Sequence, residues 1–133
     1  MKLEFLKDIN NSGQIKEVLV NKLVRLYDFD HIQANNFRTI IQKSIVQNGK
    51  QIKINDIEFI EAINCTLFFR VSDIDLGIQC DDNSIFFCDL TRNGFENMIN
   101  LIKPFCKKEC NGYQWLYDLD TPIEFLFSQK GNW

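Results

Sequence analysis

Apolar residues recur every three to four positions in the first third of the chain. Between residues 14 and 27, Ile15, Val18, Leu19, Leu23 and Leu26 keep this spacing, that of a helix with one buried face. Ser12 or Gly13 stands where that helix would begin, and Asp28-Phe29-Asp30 interrupts the pattern. Asp30, followed three residues later by Gln33, forms a capping-box pattern. It predicts a second helix over 31–47 through Phe37, Ile40, Ile41 and Ile45. Asn48-Gly49 ends it, because Gly49 tolerates the left-handed conformation that closes helices. Two helices joined this closely are expected to pack antiparallel.

After Gly49 the period drops from 3.6 to 2. Ile52 and Ile54 alternate with Gln51 and Lys53, and Ile57 and Phe59 with Glu58 and Ile60. Cys65, Leu67, Phe69 and Val71 share one face, and Ile74, Leu76, Ile78 and Cys80 oppose Asp73, Asp75, Gly77 and Gln79. Residues 84–90 are nearly all apolar, and Asp81-Asp82-Asn83 before them is a turn signal. These runs predict antiparallel strands between 51 and 90.

Helical spacing returns after Thr91. Phe95, Met98, Ile99 and Ile102 make a stripe over 92–105 that Pro104 closes. Near the end, Thr121-Pro122-Ile123-Glu124 has the cap, proline and acid of a helix start. It predicts a short helix through Phe125-Leu126-Phe127. The expected fold is a single α+β domain over 1–133. It has two N-terminal helices, an antiparallel meander of three or four strands, a third helix and a short C-terminal helix packed on one sheet face.

Composition alters this picture little. The chain has 133 residues, 45% hydrophobic and 25% charged, which suits one globular domain. No secretory leader or membrane-length apolar run is legible, so a cytoplasmic location is expected. The five cysteines are Cys65, Cys80, Cys88, Cys106 and Cys110. An odd set without repeating spacing is a poor disulfide framework.

Charge matters more, because it is uneven. Residues 1–50 carry eight Lys/Arg against five Asp/Glu. Residues 51–91 carry two against eight, a net −6, while 92–133 balance at five each. An acidic middle argues against nucleic acid as a partner.

Catalytic and metal motifs are weak. Cys106-x3-Cys110 has the wrong spacing for a zinc knuckle. Asp73-x-Asp75-x-Gly77 starts like a calcium loop but has its glycine one position early and Ser84 at the twelfth position. His31, the single histidine, falls in the first turn of a predicted helix and belongs to no nucleophile motif. No glycine-rich phosphate loop is present. Asp118, Asp120 and Glu124, near Trp115 and Tyr117, are the best local set for carboxylate chemistry. A helix-capping role for Glu124 explains them more simply. The tail gathers Tyr113, Trp115, Tyr117, Phe125, Phe127 and Trp133 within 21 residues. Tyrosine and tryptophan are common interface anchors.

The size and acidity match those of small bacterial cytosolic domains that neutralise toxins, a likeness of profile without a shared motif. The leading expectation is a non-catalytic protein-binding domain of the immunity type, meeting a basic toxin through an acidic face. Asp73, Asp75, Asp81 and Asp82 are its expected charged contacts, and Trp115 and Tyr117 its aromatic ones. The alternatives are a small hydrolase or transferase using carboxylates or His31, and a homo-oligomeric adaptor. The expected state is a monomer or weak dimer, without cofactor, metal, nucleic acid or membrane. Thiol titration of the unfolded, non-reduced chain should find five free groups; three or one would establish a disulfide.

Overall fold

Nine of the twelve phenylalanines are buried, and their rings trace a core shared by two β-sheets. The computed structural model describes residues 1–7, 22–82, 84–108 and 112–131, and Asp82 by its backbone alone. One sheet joins β1 (Lys2–Lys7), β2 (Lys22–Tyr27), β4 (Glu61–Ala62), β8 (Tyr113–Trp115) and β9 (Glu124–Ser128) in the order β4-β1-β2-β9-β8. The other joins β3 (Ile52–Lys53), β5 (Thr66–Val71), β6 (Gly77–Asp82) and β7 (Ile85–Leu90) in the order β3-β5-β7-β6. Phe5 on β1 meets Phe86 on β7 with ring centroids 4.6 Å apart, and Phe69 on β5 meets Phe125 on β9 at 5.9 Å. Such offset and edge-on contacts are the preferred geometry of aromatic pairs.

The single meander with three or four helices is overturned. The described residues form two α-helices and nine strands in two mixed sheets. Helix α1 (His31–Ile41) starts on the expected capping box. The Gln33 amide donates to the Asp30 carboxylate at 2.8 Å, and the Gln33 side chain accepts from the Asp30 amide. It runs on as a π-helical stretch, Gln42–Gln47, and closes where Gly49 takes φ +63°. Helix α2 (Arg92–Ile102) is capped by Thr91, whose hydroxyl accepts from the Gly94 amide at 3.0 Å. Phe37 of α1 touches Phe69 and Phe127, and Phe95 of α2 touches Phe69. Both helices therefore close on the same aromatic cluster that joins the sheets.

The corrections share a cause. Residues 14–21 of the expected first helix lie outside the described residues, and Lys22–Tyr27 is strand β2. Leu23 and Val24 are adjacent, and both are fully buried. A strand covered on both faces shows no alternation, so its apolar run mimics helical spacing. Sequence-distant pairing with β1 and β9 then decides the conformation. The same holds at the C-terminus, where Phe125, Leu126 and Phe127 are all fully buried in β9 and no helix forms. In the second sheet β7 inserts between β5 and β6. It runs parallel to β5 and antiparallel to β6, which a meander forbids.

A polar link reinforces the junction of the sheets. The Ile78 amide, on the outer edge of β6, donates to the Tyr117 hydroxyl at 3.0 Å, and that hydroxyl donates to the Ile123 carbonyl just before β9. The ring lies close over Gly77, where an added Cβ would sit 3.1 Å from Tyr117 Cε1 and where φ is +75°. Glycine is required there twice over, for its backbone conformation and for the approach of the ring. Tyr117→Phe should leave the buried Ile78 amide without a partner and the Ile123 carbonyl with the Thr121 hydroxyl alone. The expected cost is about 1–3 kcal/mol in urea unfolding; a change near zero would show that the link contributes nothing.

Candidate functional site

Two adjoining concavities open beside α2. The larger, about 570 Å³, is lined by Leu101, Gln114, Trp115, Tyr117, Asp118, Leu119 and Glu124. The smaller, about 230 Å³, shares Leu101, Tyr117, Asp118 and Leu119 and adds Asp75, Leu90, Gly94, Asn97 and Leu116. Three elements and one loop supply the walls. Leu101 comes from the last turn of α2, Gln114 and Trp115 from β8, Glu124 from the start of β9, and Tyr117, Asp118 and Leu119 from the loop between those strands. The loop is held at both ends. The Leu116 amide donates to the Phe125 carbonyl at 2.9 Å, and the Thr121 hydroxyl donates to the Ile123 carbonyl at 2.8 Å. That last bond explains the missing C-terminal helix. The Ile123 carbonyl is occupied by the Thr121 and Tyr117 hydroxyls, and Thr121 serves a turn rather than a helix cap.

Carboxylates crowd this site. Burial pushes the Glu124 carboxyl above its ordinary value, and the negative charges of Asp118 and Asp120 push it further the same way. Among the described residues, none of the three has a salt-bridge partner and no Lys, Arg or His lines either concavity. Trp115 is half-buried and meets Tyr113 edge-on at 6.4 Å. Gln114 donates its side-chain amide to the Trp115 carbonyl at 2.9 Å.

The expected contact residues are dispersed. Asp73 and Asp75 are exposed, but they lie in the loop before β6 and not on a strand. Asp75 supports the fold directly, because its carboxylate accepts from the Thr91 amide at 2.8 Å and the Thr91 hydroxyl at 2.9 Å. It thereby anchors the start of α2, where negative charge is favoured. The same residue reaches the smaller concavity, beside Tyr117. Asp81 is exposed at the opposite end of β6. The Asp82 side chain lies outside the described residues, as do Cys110 and Trp133. Asp73 and Asp75 therefore do not stand on a strand face beside Asp81. Tyr117 is only 7% exposed, and its hydroxyl is engaged. His31 is on α1 and lines neither concavity.

Sequence reasoning grouped Asp118, Asp120 and Glu124 with Trp115 and Tyr117. It missed Leu101 and the arrival of Asp75, which depend on how α2 docks. It also missed the ion pair of Arg70 with buried Asp89, two bonds of 2.7 Å with the guanidinium 3.9 Å above the Phe87 ring. Among the described residues no group of three or more His, Cys, Asp or Glu is placed to hold a metal ion. No helix is long and apolar enough to cross a membrane. No protein family, curated protein or solved structure matches the chain.

The crowding of Glu124 has a thermodynamic consequence. A carboxyl whose pKa is raised on folding stabilises the fold fully below its unfolded value, near 4.5, and loses that contribution as pH rises through the raised value. Glu124→Gln should therefore raise the midpoint of thermal unfolding slightly at pH 7, with the advantage vanishing below about pH 4. A variant less stable than the parent at pH 7 would show that the charge is compensated.

Proposed function

We propose that this chain is a non-catalytic protein-binding domain whose partner is basic, in the manner of an immunity protein that neutralises a basic toxin. The observation that carries the reading is the cleft beside α2, where Asp118 and Glu124 face an aromatic wall without a compensating cation among the described lining residues. Carboxylates held close together without a counter-charge favour a cationic guest, and their field would speed its approach. Asp73 extends the negative potential along the neighbouring loop. Beside it Ile74 is 61% exposed, and this apolar side chain is presented on a fixed loop: the Ser72 amide donates to the Leu90 carbonyl and the Leu76 amide to the Asp89 carbonyl, both at 2.8 Å. Acidic steering around an exposed apolar contact is a common interface arrangement.

A small hydrolase is the second reading, and one observation favours it. Glu124, pushed toward its protonated form beside Asp118, resembles the start of an acid–carboxylate pair. Binding accounts for more of the site, because the described lining supplies no nucleophile with an adjacent base.

The test begins with a partner isolated by affinity capture. Its association rate should fall as salt rises from about 0.05 to about 0.5 M. The double variant Asp73→Asn/Asp118→Asn should lower that rate about tenfold with thermal stability no lower than the parent's. Asp75 is left intact because it anchors α2. Association that ignores both salt and the double variant would reject an acidic interface.

A further inference from the structure

We infer that the larger cleft is a pocket for a single arginine side chain of the partner. The inference rests on the proposed function and adds the chemistry of the group recognised. The cleft combines three features that few ligands satisfy together. Leu101 and Leu119 give it apolar walls, Trp115 offers a partly exposed indole, and Asp118 and Glu124 contribute carboxylates. An anion would meet repulsion from every ionised group present. A neutral apolar guest would strip water from Asp118 and Glu124 without replacing it, which opposes binding.

An arginine matches each wall. Its three methylenes lie against leucine while the head group reaches the carboxylates. The planar guanidinium stacks on an indole and presents five donors in a fixed fork, which suits two carboxylates better than the point charge of lysine. Gln114 adds to the fit. Its nitrogen is engaged by the Trp115 carbonyl, which leaves its oxygen as an acceptor at the rim. The Tyr117 hydroxyl takes no part, because it already joins Ile78 to Ile123.

The pocket can be probed without knowing the partner. In a Trp133→Phe background Trp115 is the single tryptophan, and its emission can be followed while N-acetylarginine amide is added. A saturable change is expected. The citrulline analogue, equal in shape but uncharged, should bind at least about tenfold more weakly, and the lysine analogue should be weaker than arginine. Asp118→Asn and Glu124→Gln should each weaken arginine about tenfold, whereas Asp81→Asn should leave it unchanged. No saturable response, an equal response to citrulline or lysine, or indifference to both cleft variants would each overturn the inference. A chain that ignores arginine amide but still associates with its partner in a salt-dependent way loses the pocket and keeps the proposed function. A chain that binds arginine amide through the cleft but shows no salt-dependent partner association keeps the pocket and loses that function.

Discussion

The hydroxyl of Tyr117 sits between an amide of one sheet and a carbonyl just before strand β9 of the other, and the cleft is arranged around that junction. Strand β6 is the edge of its sheet, so the outward amide of Ile78 has no partner strand to accept it. By accepting that amide, Tyr117 ties β6 to the loop that leads into β9. The bond depends on Gly77, which lets the ring come close; burial raises the phenol's pKa and so extends its protonated range to higher pH. A neutral phenol can donate and accept at once, which both partners need.

The cleft follows from this junction. Residues 116–119 leave β8, turn under α2 and return through Thr121 and Ile123 to β9. Fixing the loop at Tyr117 sets where Asp118 and Leu119 stand relative to Trp115 and Glu124. The carboxylates are thus held near one another by the fold, and their mutual repulsion is a cost the fold bears. Asp75 shows the contrasting case of an acid whose charge is used at once, against the start of α2. Acids with a structural partner contribute to the fold, while those without one leave a field that a cationic guest can neutralise.

Local chemistry was legible in the sequence wherever it is self-contained. The capping box at Asp30 and Gln33, the Thr91 cap, the stripe of Phe95, Met98, Ile99 and Ile102, and the stop at Gly49 all concern residues a few positions apart. What escaped depends on distant pairing. Leu23 and Val24 read as helix because β2 is covered on both faces, and Thr121-Pro122 read as a helix start although β9 pairs with β2. The expected placement of Asp73 and Asp75 on a strand went astray for a related reason. Asp73 and Asp75 alternate with apolar residues as strand acids do, but the turn into Gly77 places them in a loop, at the opposite end of β6 from Asp81. The acid–aromatic group of the tail was visible because its members are close in sequence. Its enclosure by Leu101 was not.

Native-state hydrogen exchange at the Ile78 amide tests the central claim most directly. An edge-strand amide facing solvent exchanges quickly, with little protection. If the Tyr117 hydroxyl joins the sheets as described, the Ile78 amide should exchange as slowly as the amides of central strand β7, limited by unfolding of the whole domain. Exchange at the rate of an exposed edge would contradict the junction and, with it, the fixed geometry of the cleft.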